Sequence, residues 1–161
     1  MKTIEIFEDN LDKKDVKGMH SQCGARAVLV YQDKYVVIFN RHWNLYTLPG
    51  GGIDKGETPE EALQREVLEE TGFTVSECKK TILVKEYFHD SVWEHHFFLC
   101  KANEAPKSVN LTDEEKAAGM EVHYKTFNEV LTLFNEHQST HHHAEAIYQR
   151  EFLGFVHSVE S

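Results

Sequence analysis

The feature that most constrains the fold is a helix whose two ends are both marked in the sequence. Thr58 is a favourable N-cap residue, Glu61 completes a capping box, and Pro59 occupies the first helical position, where its missing N–H costs nothing. Gly72 stands where a left-handed C-cap residue belongs. The sequence therefore predicts a helix over about Pro59–Thr71.

Three glutamates gather on one side of this helix. At about 100° per residue, Glu66, Glu69 and Glu70 fall within an arc of about 100°. Beside that arc runs a stripe predicted to face the core, formed by Leu63, Val67 and Thr71. Like charges at these spacings destabilise a helix by about 0.2–0.5 kcal/mol per pair, so a bound cation is the expected compensation. Carboxylate oxygens favour hard ions such as Mg²⁺ or Mn²⁺.

Three consecutive glycines, Gly50–Gly52, precede the helix. Glycine lets bare backbone approach another group closely and adopt positive φ, so a carbonyl of this loop is a further candidate metal ligand. The chemistry predicted from these residues is metal-assisted attack of water on phosphorus. Taken singly, a glutamate-rich face is more often a solvated surface and a Gly-rich loop only a turn. Their joint spacing favours a functional site.

The rest of the chain mixes strand and helix patterns. Apolar or alternating runs predict strands over Lys2–Phe7, Ala25–Tyr31, Tyr35–Phe39, Thr81–Phe88 and Trp93–Cys100. Periodicity predicts helices over Asn128–Glu136 and Ala144–His157. Residues 40–47 and 103–120 are interpreted as loops, and His141–His143 as a solvated turn rather than a metal site. With 161 residues, we expect one domain spanning residues 1–161, a sheet covered by helices.

The net charge and the cysteine content indicate which partners and which cellular location to expect. The net charge of −10 repels nucleic-acid phosphate, so no nucleic-acid duplex is expected as a partner. The cysteines are Cys23, Cys78 and Cys100; their odd number and the absence of a CxxC pair favour a reducing compartment. The charged N-terminus does not resemble a signal peptide, and no apolar run approaches the roughly 18 residues of a membrane helix. We therefore expect a cytoplasmic protein without a membrane partner.

The spacing around the predicted helix resembles the complete Nudix box. The matching positions are Gly51, Glu57, Arg65, Glu66, Val67, Glu69, Glu70, Gly72 and Phe73. Every fixed position of the motif is present across these 23 residues, and the surrounding strand order agrees with the family over most of the chain. The resemblance implies an α/β (α+β) fold, the Nudix α/β/α sandwich with a mixed β-sheet.

The resemblance also implies roles for individual residues. Glu66, Glu69 and Glu70 match the family's metal-binding and catalytic glutamates, with Mg²⁺ or Mn²⁺ as cofactor. The Gly50 carbonyl matches a frequent further ligand. Arg65 would orient the glutamates and so take part in catalysis.

Further implied residues lie on both sides of the motif. Glu57 would pair with Arg65, as a catalytic support or a plain structural ion pair. Family members often use one more glutamate from a later segment as ligand or base, and Glu114 and Glu115 are the candidates. A solvated acidic loop is the alternative for that segment.

The loop before the glycines holds three candidate substrate-binding residues. Arg41 would clamp a phosphate, because the guanidinium fork suits phosphate oxygens. Trp43 or Tyr46 would stack on a base, or else pack at the rim of the core.

The implied reaction is metal-dependent hydrolysis of a diphosphate linkage in a nucleoside diphosphate derivative. Residues 74–105 contain no proline, so the proline that often marks ADP-ribose hydrolases is absent. A (deoxy)nucleoside triphosphate, giving monophosphate and pyrophosphate, is the leading substrate. ADP-ribose, dinucleoside polyphosphates (for which Tyr87 is near the marking position) and a non-catalytic nucleotide-sensing module remain alternatives. The expected partner is a small nucleotide, and a homodimer is allowed.

Overall fold

The structure is a computed structural model that describes residues 2–161. Within them, eight strands form one sheet and four helices pack against it. The strands are β1 (Lys2–Phe7), β2 (Ser21–Tyr31), β3 (Lys34–Asn40), β4 (Leu45–Thr47), β5 (Gly50–Gly52), β6 (Glu77–Tyr87), β7 (Val92–Lys101) and β8 (Met120–Lys125). The helices are α1 (Pro59–Thr71), α2 (Asp113–Ala117), α3 (Phe127–Asn135) and α4 (Ala144–Val159).

The sheet is mixed, as predicted. Its order is β1-β6-β7-β2-β3-β4, with β5 added to β2 and β8 added to β3. The pairs β1–β6 and β2–β7 are parallel, whereas the other pairs are antiparallel. Strand β2 is the centre of this arrangement, because it pairs with β3, β5 and β7.

Helices cover both faces of the sheet. Ala27 and Leu29 of β2 share one buried core with Leu63 and Val67 of α1. The intervening residue, Val28, joins the opposite core, where α3 and α4 pack. Alternate side chains of a strand point to opposite faces, so β2 contributes to both cores. The predicted α/β/α sandwich is confirmed.

Helix α1 has the predicted bounds and caps. The Thr58 hydroxyl accepts from the Glu61 N–H, and the Glu61 carboxylate accepts from the Thr58 N–H. Gly72 is left-handed, with φ of 79°, and its N–H donates to the Leu68 carbonyl. These caps satisfy backbone groups that a helix end leaves unpaired.

The segment that follows β7 crosses the C-terminal end of α1. The N–H of Lys107 donates to the Gly72 carbonyl at 2.8 Å, and the N–H of Asn110 donates to the Glu69 carbonyl at 2.8 Å. A Cβ on Gly72 would lie 1.9 Å from the Lys107 carbonyl oxygen. Gly72 is therefore required both by its backbone conformation and by this close approach.

Two segments predicted to be loops contain short regular elements. Residues 40–47 end in β4, which pairs with β3. Residues 103–120 contain α2, whose capping box joins Thr112 and Glu115. Three-residue strands and single-turn helices are too short to show a period, so tertiary hydrogen bonds and caps decide them.

Cysteine pairing corrects the inference from the cysteine count. Cys78 and Cys100 are opposite each other in β6 and β7 and form a disulfide, while Cys23 is free. Pairing depends on strand register, which the odd count does not report. The predicted cytoplasmic location stays a prediction. Among residues 2–161, none of the helices has the length and apolar character to cross a membrane.

Candidate active site

The three glutamates of α1 differ in burial. Glu70 is buried, Glu66 has an 18% exposed side chain, and Glu69 is 41% exposed. Burial raises the pKa of Glu70 well above its ordinary value; the Arg26 charge opposes this shift, and the neighbouring carboxylates of Glu66 and Glu115 add to it. An ionised carboxylate at this depth needs a positive partner. Burial of these glutamates therefore decreases from Glu70 through Glu66 to Glu69. Glu70, the most buried of the three, would be stabilised most by a bound cation.

Arg65 joins the box residues into one network. Its Nε and Nη2 donate to the two oxygens of Glu57 at 2.7 and 2.8 Å, and its Nη1 donates to Glu66 Oε1 at 2.8 Å. Its Nη1 also lies 3.7 Å from Glu69 Oε2. The hydrogen bonds from Arg65, together with one from the Asp54 backbone N–H, lower the pKa of Glu57 to about 2. The bidentate pair with Glu57 holds the Arg65 guanidinium in place, and Arg65 in turn orients the Glu66 carboxylate.

Two of the glycines are required by close contacts beside these glutamates. A Cβ on Gly51 would lie 2.6 Å from Glu66 Cδ. Gly50 has a φ of 149°, and a Cβ there would lie 2.0 Å from the Ala25 carbonyl oxygen. Strand β5 pairs with β2, with Gly50 opposite Arg26. The Gly50 carbonyl accepts from Arg26 Nη1 at 3.4 Å.

The donor set fits a hard divalent cation. The glutamates and the Gly50 carbonyl offer only oxygen atoms, which suits Mg²⁺ or Mn²⁺ rather than softer ions. The buried Glu70 carboxylate gains most from such a charge, because burial opposes its ionisation. These residues are the metal ligands predicted from the sequence. In the structure, Glu66 lies against Gly51, and Arg65 contacts Glu66 and Glu69.

The three upstream candidates already have protein partners. Arg41 is exposed and forms an ion pair with Glu121. The Trp43 ring makes an edge contact with His141, with centroids 5.0 Å apart, and the Tyr46 hydroxyl lies 3.2 Å from His123 Nδ1. Both aromatic rings pack against the core on the α4 side of the sheet. Their predicted stacking on a base stays a prediction.

The two late glutamates lie on α2 rather than on a loop. Glu114 is exposed, whereas Glu115 is half-buried and accepts from the Thr112 N–H at 2.9 Å. Glu115 is also near enough to Glu70 to raise its pKa. Of the two candidates, Glu115 is therefore the one that approaches the glutamates of α1.

Sequence reasoning missed a cleft on the α4 side of the sheet. Its volume is about 1220 Å³, and it is lined by residues of β1, β2, the β6–β7 hairpin and α4. Four charged or titratable residues of its lining and one fully buried partner form a cluster, here called the cleft cluster: Arg26, Glu86, His95 and Arg150 line the cleft, and Glu151 pairs with Arg150. Arg26 belongs to this cluster and also contacts the Gly50 carbonyl, so the cleft adjoins the glutamate site.

The cleft cluster is held by short contacts. Arg150 Nη2 donates to Glu151 Oε1 at 2.7 Å, and Arg26 Nε lies 3.9 Å from the same oxygen. His95 Nε2 lies 3.0 Å from Glu86 Oε1. Burial lowers the pKa of Arg26 and of His95 and raises that of Glu86. Among residues 2–161, Arg26 Nε and Arg150 Nε are buried and find no hydrogen-bond acceptor.

One signal in the sequence pointed to this cluster. Arg26 interrupts the apolar run of β2, and Glu86 and His95 interrupt strand-like runs. A charged residue inside such a run is informative, because charged side chains are almost never fully buried unless paired. Without the fold, however, the partners of Arg26 on α4 are not identifiable.

Comparison with known proteins gives a consistent result. A family model described as "NUDIX domain" matches residues 22–148. A Bacillus subtilis (strain 168) protein named as a candidate 8-oxo-dGTP diphosphatase is 35% identical over 82 residues, which are 50% of this chain and 53% of the relative. The match thus spans about half the length of that curated relative.

Solved structures agree at the level of the fold. A NUDIX hydrolase from Nitrosomonas europaea superposes with a TM-score of 0.61 at 18% identity, covering 81% of this chain and 90% of that one. A structure described as an ADP compounds hydrolase gives a TM-score of 0.64 at 17% identity, covering 89% of this chain and 74% of that one. At these identities the likeness establishes the fold alone.

Proposed function

The chain belongs to the NUDIX family, and from that premise we propose that it hydrolyses the diphosphate linkage of a small nucleotide. The leading substrate is a (deoxy)nucleoside triphosphate, cleaved to a monophosphate and pyrophosphate. The observation that carries this proposal is the pair Glu66 and Glu70 beside the Gly50–Gly52 strand, with Glu66 held by Arg65.

We assign the cation to Glu66, Glu69, Glu70 and the Gly50 carbonyl, with Mg²⁺ or Mn²⁺ as the ion. When bound there, it supplies positive charge that stabilises the phosphate oxygens during attack by water. Arg65 holds Glu66 in one orientation, and Glu57 holds Arg65 through two hydrogen bonds. Such supporting contacts fix the geometry of the metal ligands. Their loss therefore reduces activity although neither Arg65 nor Glu57 contacts the substrate.

Arg26 connects the glutamate site to the cleft. It donates to the Gly50 and Leu48 carbonyls at 3.4 and 3.5 Å, which keeps the strand entering the helix in place. We assign the nucleoside part of the substrate to the cleft, because its volume of about 1220 Å³ is large enough for a small ligand and it adjoins Arg26. Arg26 and Arg150 line this cleft, and guanidinium groups are suited to an oxygen-rich ligand.

The alternatives are less well supported by side-chain contacts. Tyr87, which would mark a dinucleoside polyphosphate hydrolase, stacks on Phe7 and donates to Glu5 at 2.6 Å. Its hydroxyl therefore already has a partner. ADP-ribose remains an alternative substrate. A nucleotide-sensing module without catalysis remains the alternative function, although the box residues are intact.

The test is incubation of the protein with Mg²⁺ and a panel of nucleotides in isotopically labelled water. The panel contains deoxynucleoside and nucleoside triphosphates, ADP-ribose and dinucleoside polyphosphates. We expect nucleoside monophosphate and pyrophosphate from a triphosphate, with the label identifying the phosphorus attacked. Glu66→Gln should reduce turnover by about 100-fold or more, because charge stabilisation worth several kcal/mol is lost.

The matched control is Glu60→Gln, an exposed glutamate on the same helix. This control should turn over like the parent protein. Absence of turnover on every compound would favour the sensing module. Equal turnover of Glu66→Gln and Glu60→Gln would place the chemistry elsewhere.

A further inference from the structure

We propose a second cation site, formed by Cys23, Glu94 and His96, that binds Zn²⁺ or a similar transition-metal ion. These three side chains lie on the adjacent parallel strands β2 and β7, where Cys23 is opposite Glu94 and Ala25 is opposite His96. Their ligand atoms all lie within 4.8 Å of one another. The site is separate from the glutamates of α1 and does not depend on the proposed hydrolysis.

The spacing suits tetrahedral coordination. Cys23 Sγ lies 3.9 Å from Glu94 Oε2. Bond lengths of about 2.3 Å to sulfur and about 2.0 Å to oxygen place these atoms about 3.5 Å apart in a tetrahedral zinc site. A shift of a few tenths of an ångström therefore brings the Cys23 and Glu94 atoms to coordination distance, and the His96 atom lies within 4.8 Å of both.

The supporting contacts resemble those of a metal centre. Lys85 Nζ lies 3.1 Å from Glu94 Oε1, which leaves Oε2 on the side of Cys23. Ligand carboxylates are commonly oriented by such an outer partner. Among the described residues, His96 Nδ1 is buried and has no hydrogen-bond partner. An imidazole nitrogen without a protein partner is chemically able to bind a metal ion.

The donor chemistry differs from that of the glutamate site. Sulfur, nitrogen and one carboxylate oxygen select zinc-like ions, whereas an oxygen-only set selects Mg²⁺. A metal ion binds the thiolate and the neutral imidazole, so the proton of a free thiol leaves when the ion binds, and about one proton is released per ion.

The position of the site gives it a structural consequence. The Cys23 carbonyl accepts from the Ile53 N–H at 2.9 Å, and Gly24 is paired with Gly52 in the β2–β5 ladder. An ion held between β2 and β7 therefore fixes the part of β2 that carries the glycine strand. Three protein ligands also leave a fourth position for water or another small ligand.

The test is a titration with Co²⁺ and with Zn²⁺ in the presence of saturating Mg²⁺, which competes for the oxygen-only site. Thiolate coordination of Co²⁺ gives a charge-transfer band in the near ultraviolet. We expect this band at one equivalent in the parent protein, since Cys78 and Cys100 are paired and Cys23 is the free cysteine. The band should persist in Glu66→Gln.

Variants locate the ligands. Cys23→Ser should abolish the band, and His96→Gln should weaken Zn²⁺ binding by about tenfold or more. His20→Gln, an exposed histidine outside the cluster, is the matched control and should bind like the parent. Parent-like Zn²⁺ affinity in Cys23→Ser and His96→Gln would overturn the proposal.

Two further measurements use only the parent protein, so they do not depend on whether a variant folds. Zn²⁺ should slow alkylation of Cys23, and calorimetry in buffers of different ionisation enthalpy should report release of about one proton per ion. An unchanged alkylation rate, or Co²⁺ spectra without a thiolate band, would mean that Cys23 and Glu94 form only a polar contact.

Discussion

Two arginine–carboxylate clusters of this protein differ in the effect that dominates them. Around Arg65, whose side chain is 29% exposed, hydrogen bonding dominates and lowers the pKa of Glu57 to about 2. In the cleft cluster, burial dominates and raises the pKa of Glu86 while lowering that of Arg26. The same kinds of side chain therefore have opposite pKa shifts, because desolvation exceeds attraction in one cluster and not in the other.

The two clusters also differ in what they contribute to folding stability. Ion pairs near the surface contribute little to stability but orient groups, as Arg65 does for Glu66. A buried cluster is often no more stable than apolar residues of similar size. Two arginines of the cleft cluster, Arg26 and Arg150, line the cleft, which is the reason for assigning ligand binding to it.

The largest expected effect is on stability, in the cleft cluster. Glu151→Ala leaves Arg150 and Arg26 without the carboxylate that lies near both of them. Removing one partner of a buried ion pair costs about 3–5 kcal/mol, so the free energy of unfolding should fall by that order. Urea denaturation at constant pH measures it.

The control is Glu145→Ala, at the start of the same helix. Its carboxylate contacts His137, but its side chain is 94% exposed, so little change is expected. Equal losses in Glu145→Ala and Glu151→Ala would show that burial is not the cause and would remove the contrast between the clusters.

The next effect is on activity, in the Arg65 cluster. Glu57→Gln removes the charge that holds Arg65 and, through it, Glu66. Loss of such an orienting partner reduces metal affinity or activity by about 10–100-fold. The free energy of unfolding should change less than in Glu151→Ala, because the Glu57 side chain is partly exposed and that of Glu151 is fully buried. Steady-state kinetics across a Mg²⁺ titration measure this. If Glu57→Gln matches Glu60→Gln in both kcat and Mg²⁺ dependence, Arg65 does not need Glu57 for orientation.

The smallest effect is the pH dependence, and it has opposite signs in the two clusters. The folded-state pKa of Glu57 is about 2, against 4.5 for an ordinary glutamate, so its stabilisation is present above pH 4.5 and is lost as the pH falls toward 2. The pKa of Glu86 is raised, so its ionisation above pH 4.5 opposes folding.

Denaturation curves over that pH range separate the two. Relative to Glu57→Gln, the parent should gain stability as the pH rises from about 2 to 4.5. Relative to Glu86→Gln, it should lose stability as the pH rises above 4.5. His95 and Arg150 face Glu86 in all of these proteins, so their contributions largely cancel. Slopes of the same sign in both comparisons would contradict the assignment.

Local signals made one half of this molecule predictable. The bounds of α1 follow from Thr58, Pro59 and Gly72, because caps act within a few residues. The core-facing stripe and the acidic arc follow from helix geometry, and Glu57 and Arg65 are close enough in sequence to be paired in advance. When residues lie within about ten positions of each other on one helix and its entry loop, helix geometry fixes their relative positions, so their contacts are predictable from the sequence.

The other half depends on contacts between distant segments. Arg26 and Glu151 are separated by 125 residues, and they meet only because α4 packs over β2. Cys23 and His96 meet only because β2 and β7 are parallel neighbours. No periodicity within one segment reports which strand lies beside another. For the same reason the disulfide between Cys78 and Cys100 was not foreseen.

The crossing of residues 107–110 over the end of α1 affects how this scaffold tolerates changes in length. Lys107 and Asn110 are anchored to the helix through backbone hydrogen bonds, whereas residues 103–106 before them are exposed. Extra residues inserted at 103–106 would lengthen a surface loop at small entropic cost, since closure entropy grows slowly with length. Insertion between the two anchors would release the last carbonyls of the helix that carries Glu70. We therefore expect insertions in this connection to be tolerated at residues 103–106 and to destabilise the end of α1 between Lys107 and Asn110.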